Sequence, residues 1–189
     1  MDINNILQKL NNKHFERKIE LEDIPEIDLY MDQVIQLFES KLGDSKRNPD
    51  DKLMTKTMIN NYAKADLLMS IKNKKYSKEH LILISLIYEL KGTISISDIK
   101  RILEYIVEKY ESNSEYDLRK LYGDYLKICE EDNNSIREEV KQKINNFKEE
   151  QSFEEKFILV ASMISISNIY RRISEMLIDE FFNEEEKNK

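Results

Sequence analysis

Only three glycines and two prolines punctuate this chain of 189 residues. Sandwiches and barrels need turn residues about every 8–12 positions, so the sequence leaves almost no room for an all-β fold. The same scarcity argues against glycine-rich phosphate loops. Neither G-x-G-x-x-G nor G-x-x-x-x-G-K-[ST] occurs, which removes the commonest dinucleotide and nucleoside triphosphate signatures. Apolar residues make up 40% and charged residues 35%, enough for a real core under a highly charged surface. One cysteine (Cys129) and two histidines (His14 and His80) cannot build an ordinary Cys/His zinc site, and a lone cysteine forms no disulfide within the chain. A reducing, cytoplasmic compartment fits that usage. The N-terminal stretch lacks the apolar centre of a signal peptide. The longest strongly apolar stretch, Phe157–Ile166, falls well short of the roughly 20 residues that span a bilayer. The expectation is therefore a cytoplasmic protein with no membrane partner and no cofactor.

Helical periodicity dominates the chain. A short amphipathic helix is expected over 3–16, through Ile3, Ile6, Leu7 and Leu10. Pro25 breaks the pattern, and a second helix is expected over 27–41, with Ile27, Tyr30, Met31, Val34, Leu37 and Phe38 on one face and Gly43 at its C′ position. A loop through Asn48 and Pro49 follows. Thr55 can cap a helix from Lys56 to about Ala65. The basic connection 69–75 leads to Ser77, which caps a helix over 78–91 that is apolar on nearly every side and so expected to be central. Ser95 and Asp98 have capping-box spacing before a helix to about Tyr110. Three further helices are expected over 114–131, 134–149 and 153–183. The domain reading is an N-terminal helical extension over 1–26, a helical unit over 27–110 and a C-terminal region over 111–189.

Net charge is −7, but it is unevenly spread. Residues 1–40 carry 4 basic and 9 acidic side chains, residues 41–80 carry 10 and 5, and the rest carry 16 and 23. One 40-residue window is thus basic inside an acidic protein, and phosphate binding depends on local potential rather than on the total. Within that window the Thr55 helix turns Met58, Ile59 and Tyr62 inward. Lys56, Thr57, Asn60, Asn61 and Lys64 point outward or flank that surface. Asparagine can pair with adenine in the major groove, and lysine can meet phosphates. Lys72, Lys74 and Lys75 on the connection could grip an adjacent backbone, as could Lys46, Arg47 and Lys52 on the preceding loop. The ordinary reading of each is a solvated side chain.

The order of short capped helix, compact link, buried helix and Ser-capped helix over 55–103 resembles the DNA-binding head of MerR-type winged helix-turn-helix regulators. Thr55 matches that family's capping Ser or Thr. Ile59 and Tyr62 match its inward positions, and Leu67–Leu68 its closing Leu pair. Tyr76, Ser77 and Leu81 match the segment after the wing, while Ile94, Ser95, Ile96 and Ile99 match the last helix start. With the preceding IPEIDLYMDQVIQLFE, residues 24–103 look closer still to a bacterial family called YkrK-like, whose members carry such a MerR-like domain. Two departures stand out. Asn60 and Asn61 occupy places where MerR-type helices carry an arginine and an aromatic, and the Gly-Tyr-Arg of the wing is missing. The resemblance implies an all-α fold with at most a small wing, followed by a C-terminal helical bundle or dimerisation region.

It also implies a sequence-specific transcriptional regulator, not an enzyme, whose partners are double-stranded DNA, a second copy of the chain and an unidentified small-molecule effector. The DNA-binding residues would be Lys56, Thr57, Asn60, Asn61, Lys64, Lys72, Lys74 and Lys75. The alternative is a helical protein–protein adaptor that keeps the head without binding DNA. Around these residues, no nucleophile signature or inward carboxylate cluster suggests catalysis or a metal. In the C-terminal half, the tyrosine-rich stretch 116–125 and the Phe153–Phe182 helix are candidates for self-association or for lining a pocket. They could equally pack on each other in a monomer.

Overall fold

The computed structural model describes residues 3–12, 15–112, 115–146 and 152–182. Seven α-helices account for most of them: α1 (Ile3–Asn12), α2 (Met31–Leu42), α3 (Lys56–Lys64), α4 (Lys78–Leu90), α5 (Ile96–Ser112), α6 (Leu118–Asn145) and α7 (Phe153–Phe181). Two strands of two residues each, β1 (Leu29–Tyr30) and β2 (Lys75–Tyr76), pair antiparallel with Leu29 opposite Tyr76 and Tyr30 opposite Lys75. The chain is therefore mostly helical, as its turn-residue scarcity dictates. No described helix is long and apolar enough to cross a membrane.

Helix α4 is the centre. Every residue from Leu81 to Ile87 is buried, Ser85 included, and the Ser85 hydroxyl donates back to the Leu81 carbonyl at 2.8 Å. A helix apolar on all sides must be covered on all sides. Helix α6 and strand β2 pack directly on it. Val34, Phe38 and Leu42 from α2, Ile59 and Tyr62 from α3, and Ile99 and Leu103 from α5 join the same buried cluster. That cluster also takes in Ile19 and Ile24 ahead of α2 and Leu118 and Tyr122 in α6. The buried Tyr122 hydroxyl donates to the Ile19 carbonyl at 2.7 Å, tying the N-terminal segment to α6. Further along, Arg137 donates to the Leu10 carbonyl at 2.9 Å and pairs with Glu16, holding α1 on α6.

Four local expectations change. Helix α2 begins at Met31 rather than at 27, because Leu29 and Tyr30 are drawn into pairing with β2. Ile27 and Tyr30 are consequently 70% and 54% exposed instead of facing the core. Gly43 has φ −54° and opens a 3₁₀ turn over Gly43–Ser45, so it does not act as a left-handed cap. Finally, the helices expected over 114–131 and 134–149 are one continuous α6. The Glu-Asp-Asn-Asn stretch between them contains neither proline nor glycine, and nothing in it forces a break. His14 and the last residues of the expected 134–149 helix, 147–149, lie outside the described residues.

Tyr122→Phe should cost about 1–2 kcal/mol by leaving the Ile19 carbonyl short of its partner. Burial pushes the Tyr122 phenol well above the ordinary tyrosine range. Folding then favours the protonated form, so this contribution is complete below the unfolded-state tyrosine pKa of about 10 and is lost as pH rises further. Urea unfolding of the wild type and of Tyr122→Phe at neutral and alkaline pH should show both the offset and a shallower alkaline decline in the variant.

Candidate nucleic-acid interface

Helix α3 is fixed at both ends by local chemistry. The Thr55 hydroxyl accepts from the Met58 amide at 3.2 Å, the bond expected of an N-cap. At the other end the Leu67 amide donates to the Tyr62 carbonyl at 3.0 Å and the Asp66 amide to the Ala63 carbonyl at 3.2 Å. This is the paired-bond pattern of a Schellman cap, with Asp66 in the left-handed position at φ 56°. The cap drives Leu67 and Leu68 straight into the core. With Ile59 and Tyr62 buried beneath, Lys56, Thr57, Asn60, Asn61 and Lys64 are all exposed on the opposite surface.

The basic connection is a minimal hairpin. The Lys75 amide donates to the Lys72 carbonyl at 3.0 Å, and the two central residues, Asn73 and Lys74, have φ 52° and 59°. Two positive φ values in a two-residue turn give the type I′ geometry that matches the twist of antiparallel strands. Asparagine tolerates that region, whereas a lysine there is strained. The turn holds Lys72 and Lys74 in solvent, while Lys75 is half-buried on β2.

The corner between β1 and α2 joins the two basic sets. The Lys56 ammonium lies 2.7 Å from Asp32 in the first turn of α2. The Lys75 ammonium lies 5.3 Å above the ring of Tyr30, two residues earlier. Tyr30 and Asp32 thus separate the α3 face from the hairpin and touch one lysine of each. Neither was identifiable as a site residue from periodicity, because the strand pairing that exposes Tyr30 is long-range. Lys64, Lys72 and Lys74 make no ion pair among the described residues. Of the loop cations, Lys46 is turned inward against Glu39 at 2.5 Å, where it holds that carboxyl below its usual range, and so leaves the interface. Arg47 and Lys52 remain exposed.

Of the acids that could interrupt this surface, Asp50 is exposed and makes no ion pair among the described residues, and three others are engaged. Asp66 pairs with Lys100 at 3.3 Å, Asp44 with Arg17 at 3.4 Å, and Asp51 accepts from the Asn48 backbone at 3.0 Å. Asp32 is the one that meets a site lysine. Elsewhere, a recess of about 980 Å³ lies between residues 16–23 and α6, lined mainly by charged and polar side chains with Cys129 at its edge. It does not involve α7. No cluster of metal-ligating side chains occurs among the described residues.

His80 supports the hairpin from below. Its Nδ1 accepts from the Ser77 amide at 3.2 Å, and its protonated Nε2 donates to the Met69 carbonyl at 3.3 Å. It is a satisfied structural residue. Burial holds its pKa below the ordinary histidine value, against the opposing pull of the Met69 carbonyl and of Glu79, Asp28 and Glu111. Folding therefore favours the neutral ring. The contribution is complete above the unfolded-state pKa of about 6.5 and is lost as pH falls toward the folded-state value. Thermal unfolding at mildly acidic and neutral pH should show a loss in the wild type that His80→Gln reduces.

Comparison with known proteins adds a family but no function. No curated protein matches the chain, and no solved structure does. A family model described as a domain of unknown function (DUF1836) matches residues 19–125. Those limits nearly coincide with the buried cluster from Ile19 to Tyr122, so the shared unit is the part built around α4. Because the match covers more than half of its length, the chain belongs to the DUF1836 family.

Proposed function

We propose that this protein is a sequence-specific, double-stranded DNA-binding regulator of MerR-like type. Helices α2 and α3 serve as its helix-turn-helix and the Lys72–Lys75 hairpin as a shortened wing. The observation that carries the reading is the division of α3. Ile59 and Tyr62 are buried, and the whole opposite face is polar, basic and exposed, with a lysine-bearing hairpin reached across the β1–α2 corner. In this reading Asn60 and Asn61 address base edges, because each amide offers the donor and acceptor that adenine matches. Lys56, Lys64, Lys72 and Lys74 meet phosphates, with Thr57 beside them, and Lys75 steadies the hairpin on Tyr30. The Lys56–Asp32 pair is exposed and so worth at most about 1 kcal/mol. A phosphate can displace Asp32 at little cost. Helix-turn-helix proteins commonly read paired half-sites, so two copies would bind together. An effector would act through the C-terminal half.

Fluorescence anisotropy with DNA from upstream of the protein's own gene, against scrambled DNA and across salt concentrations, tests the reading. Preferential binding of the upstream fragment supports it. A steep salt slope without preference reduces it to phosphate attraction. No binding to either fragment favours the adaptor, which keeps the head without DNA.

Two variants give separate signals. Lys64→Ala should weaken binding to all sequences alike and lower the salt slope by about 1, whereas Asn60→Ala should erode the preference for the upstream fragment by about 1–3 kcal/mol. Lys74→Gly should relieve the left-handed strain, stabilising the fold by about 1 kcal/mol. The same change should weaken DNA binding. Unfolding and anisotropy on one preparation check whether stability and affinity move in opposite directions.

A further inference from the structure

Helix α7 is 29 residues long, about 43 Å at 1.5 Å per residue, and only Ile178 along it is buried. Leu159, Met163 and Ile166 further up are half-buried, while the buried residue and the ion pair to α5 lie at the C-terminal end. There Ile178 packs down, Arg101 of α5 pairs with Asp179 at 2.8 Å, and the same guanidinium donates to the Ile178 carbonyl at 3.3 Å. The remaining length carries apolar side chains into solvent.

Their spacing is regular. Leu159, Ile166 and Ile173 recur every seven residues, as do Met163, Tyr170 and Leu177, and Ile169 and Met176 fall between them. These three series form one continuous stripe down the helix, the pattern of a coiled-coil seam. Ile178 belongs to a different row, on another side of the helix. The anchor to α5 therefore leaves the C-terminal part of the seam, Ile169, Tyr170, Ile173, Met176 and Leu177, exposed.

We infer that the seam of α7 docks on a second copy of this chain. Ile169, Tyr170, Ile173 and Met176 are 46–66% exposed. Together with their partly covered neighbours they offer on the order of 700 Å² of apolar surface, close to the roughly 800 Å² that each partner contributes to a standard stable interface. The occupant is another protein surface rather than a bilayer. Helix α7 carries five acidic and three basic side chains, so an anionic membrane would repel it, whereas interfacial helices are rich in lysine and arginine. A second copy brings an identical seam with the same seven-residue repeat. The inference rests on α7 alone and is independent of DNA binding.

Sedimentation velocity without DNA tests it. The wild type should sediment at twice the 22.6 kDa chain mass at tens of micromolar. The double variant Ile166→Glu/Ile173→Glu should sediment as a monomer whose thermal transition for the α4-centred core is retained. Asn168→Glu, a substitution off the seam, should remain dimeric. A wild type that stays monomeric up to about 100 µM overturns the inference, since an interface of this size should hold well below that. So does a seam double variant that still dimerises, or a monomeric wild type that binds phosphatidylcholine vesicles.

Discussion

A helix buried on every side organises this protein. From Leu81 to Ile87, α4 offers no face to water, so the chain must wrap it, and each wrapping element is placed by that demand. The two ends of α4 then set the two halves of the candidate interface. At its start, Ser77 and His80 lock the helix onto β2 and the base of the hairpin through the Met69 carbonyl. At its finish, the half-buried Lys91 ammonium bonds the Leu53 carbonyl at 3.4 Å, two residues before the Thr55 cap of α3. Thirteen residues of helix, about 20 Å, join these two supports.

Around that frame, charge works locally. Within a protein of net charge −7, two of the acids near the candidate interface face cations outside it, Asp66 facing Lys100 and Asp44 facing Arg17. Exposed pairs of this kind contribute little to stability, and their value here lies in leaving Lys64, Lys72 and Lys74 without an acidic neighbour in ion-pair range. The Glu26–Lys78, Glu26–Arg119 and Glu79–Arg119 pairs, at 2.6, 2.9 and 2.8 Å, add to the frame. They bind the segment before α2, the start of α4 and the start of α6 into one network. The strained Lys74 is the visible cost of a turn that has lysine where glycine would fit best.

Much of this was legible in the sequence wherever a local rule governs. Thr55 caps α3, Ile59 and Tyr62 turn inward, and α4 is central, because capping chemistry and a 3.6-residue period act within a few residues. What escaped depended on distant parts of the chain. Pairing with β2 pulls Tyr30 out of the expected helix and onto Lys75. Lys46 turns inward because Glu39 waits one helix back. The continuity of α6 escaped because a polar stretch reads as a link even where nothing in it breaks a helix. The apolar pattern of α7 is the same for a helix in a core and for one awaiting a partner, and only its attachment to α5 shows which residues stay exposed.

The central claim is that α3 and the hairpin form one DNA-facing surface. Backbone amide NMR of the full chain, titrated with the upstream DNA duplex, tests it most directly. The account predicts shifts concentrated at residues 56–64 and 72–75 and at the Tyr30–Asp32 corner between them, with the interior of α4 unmoved. Shifts confined to α6 or α7, or none at saturating duplex, would contradict it.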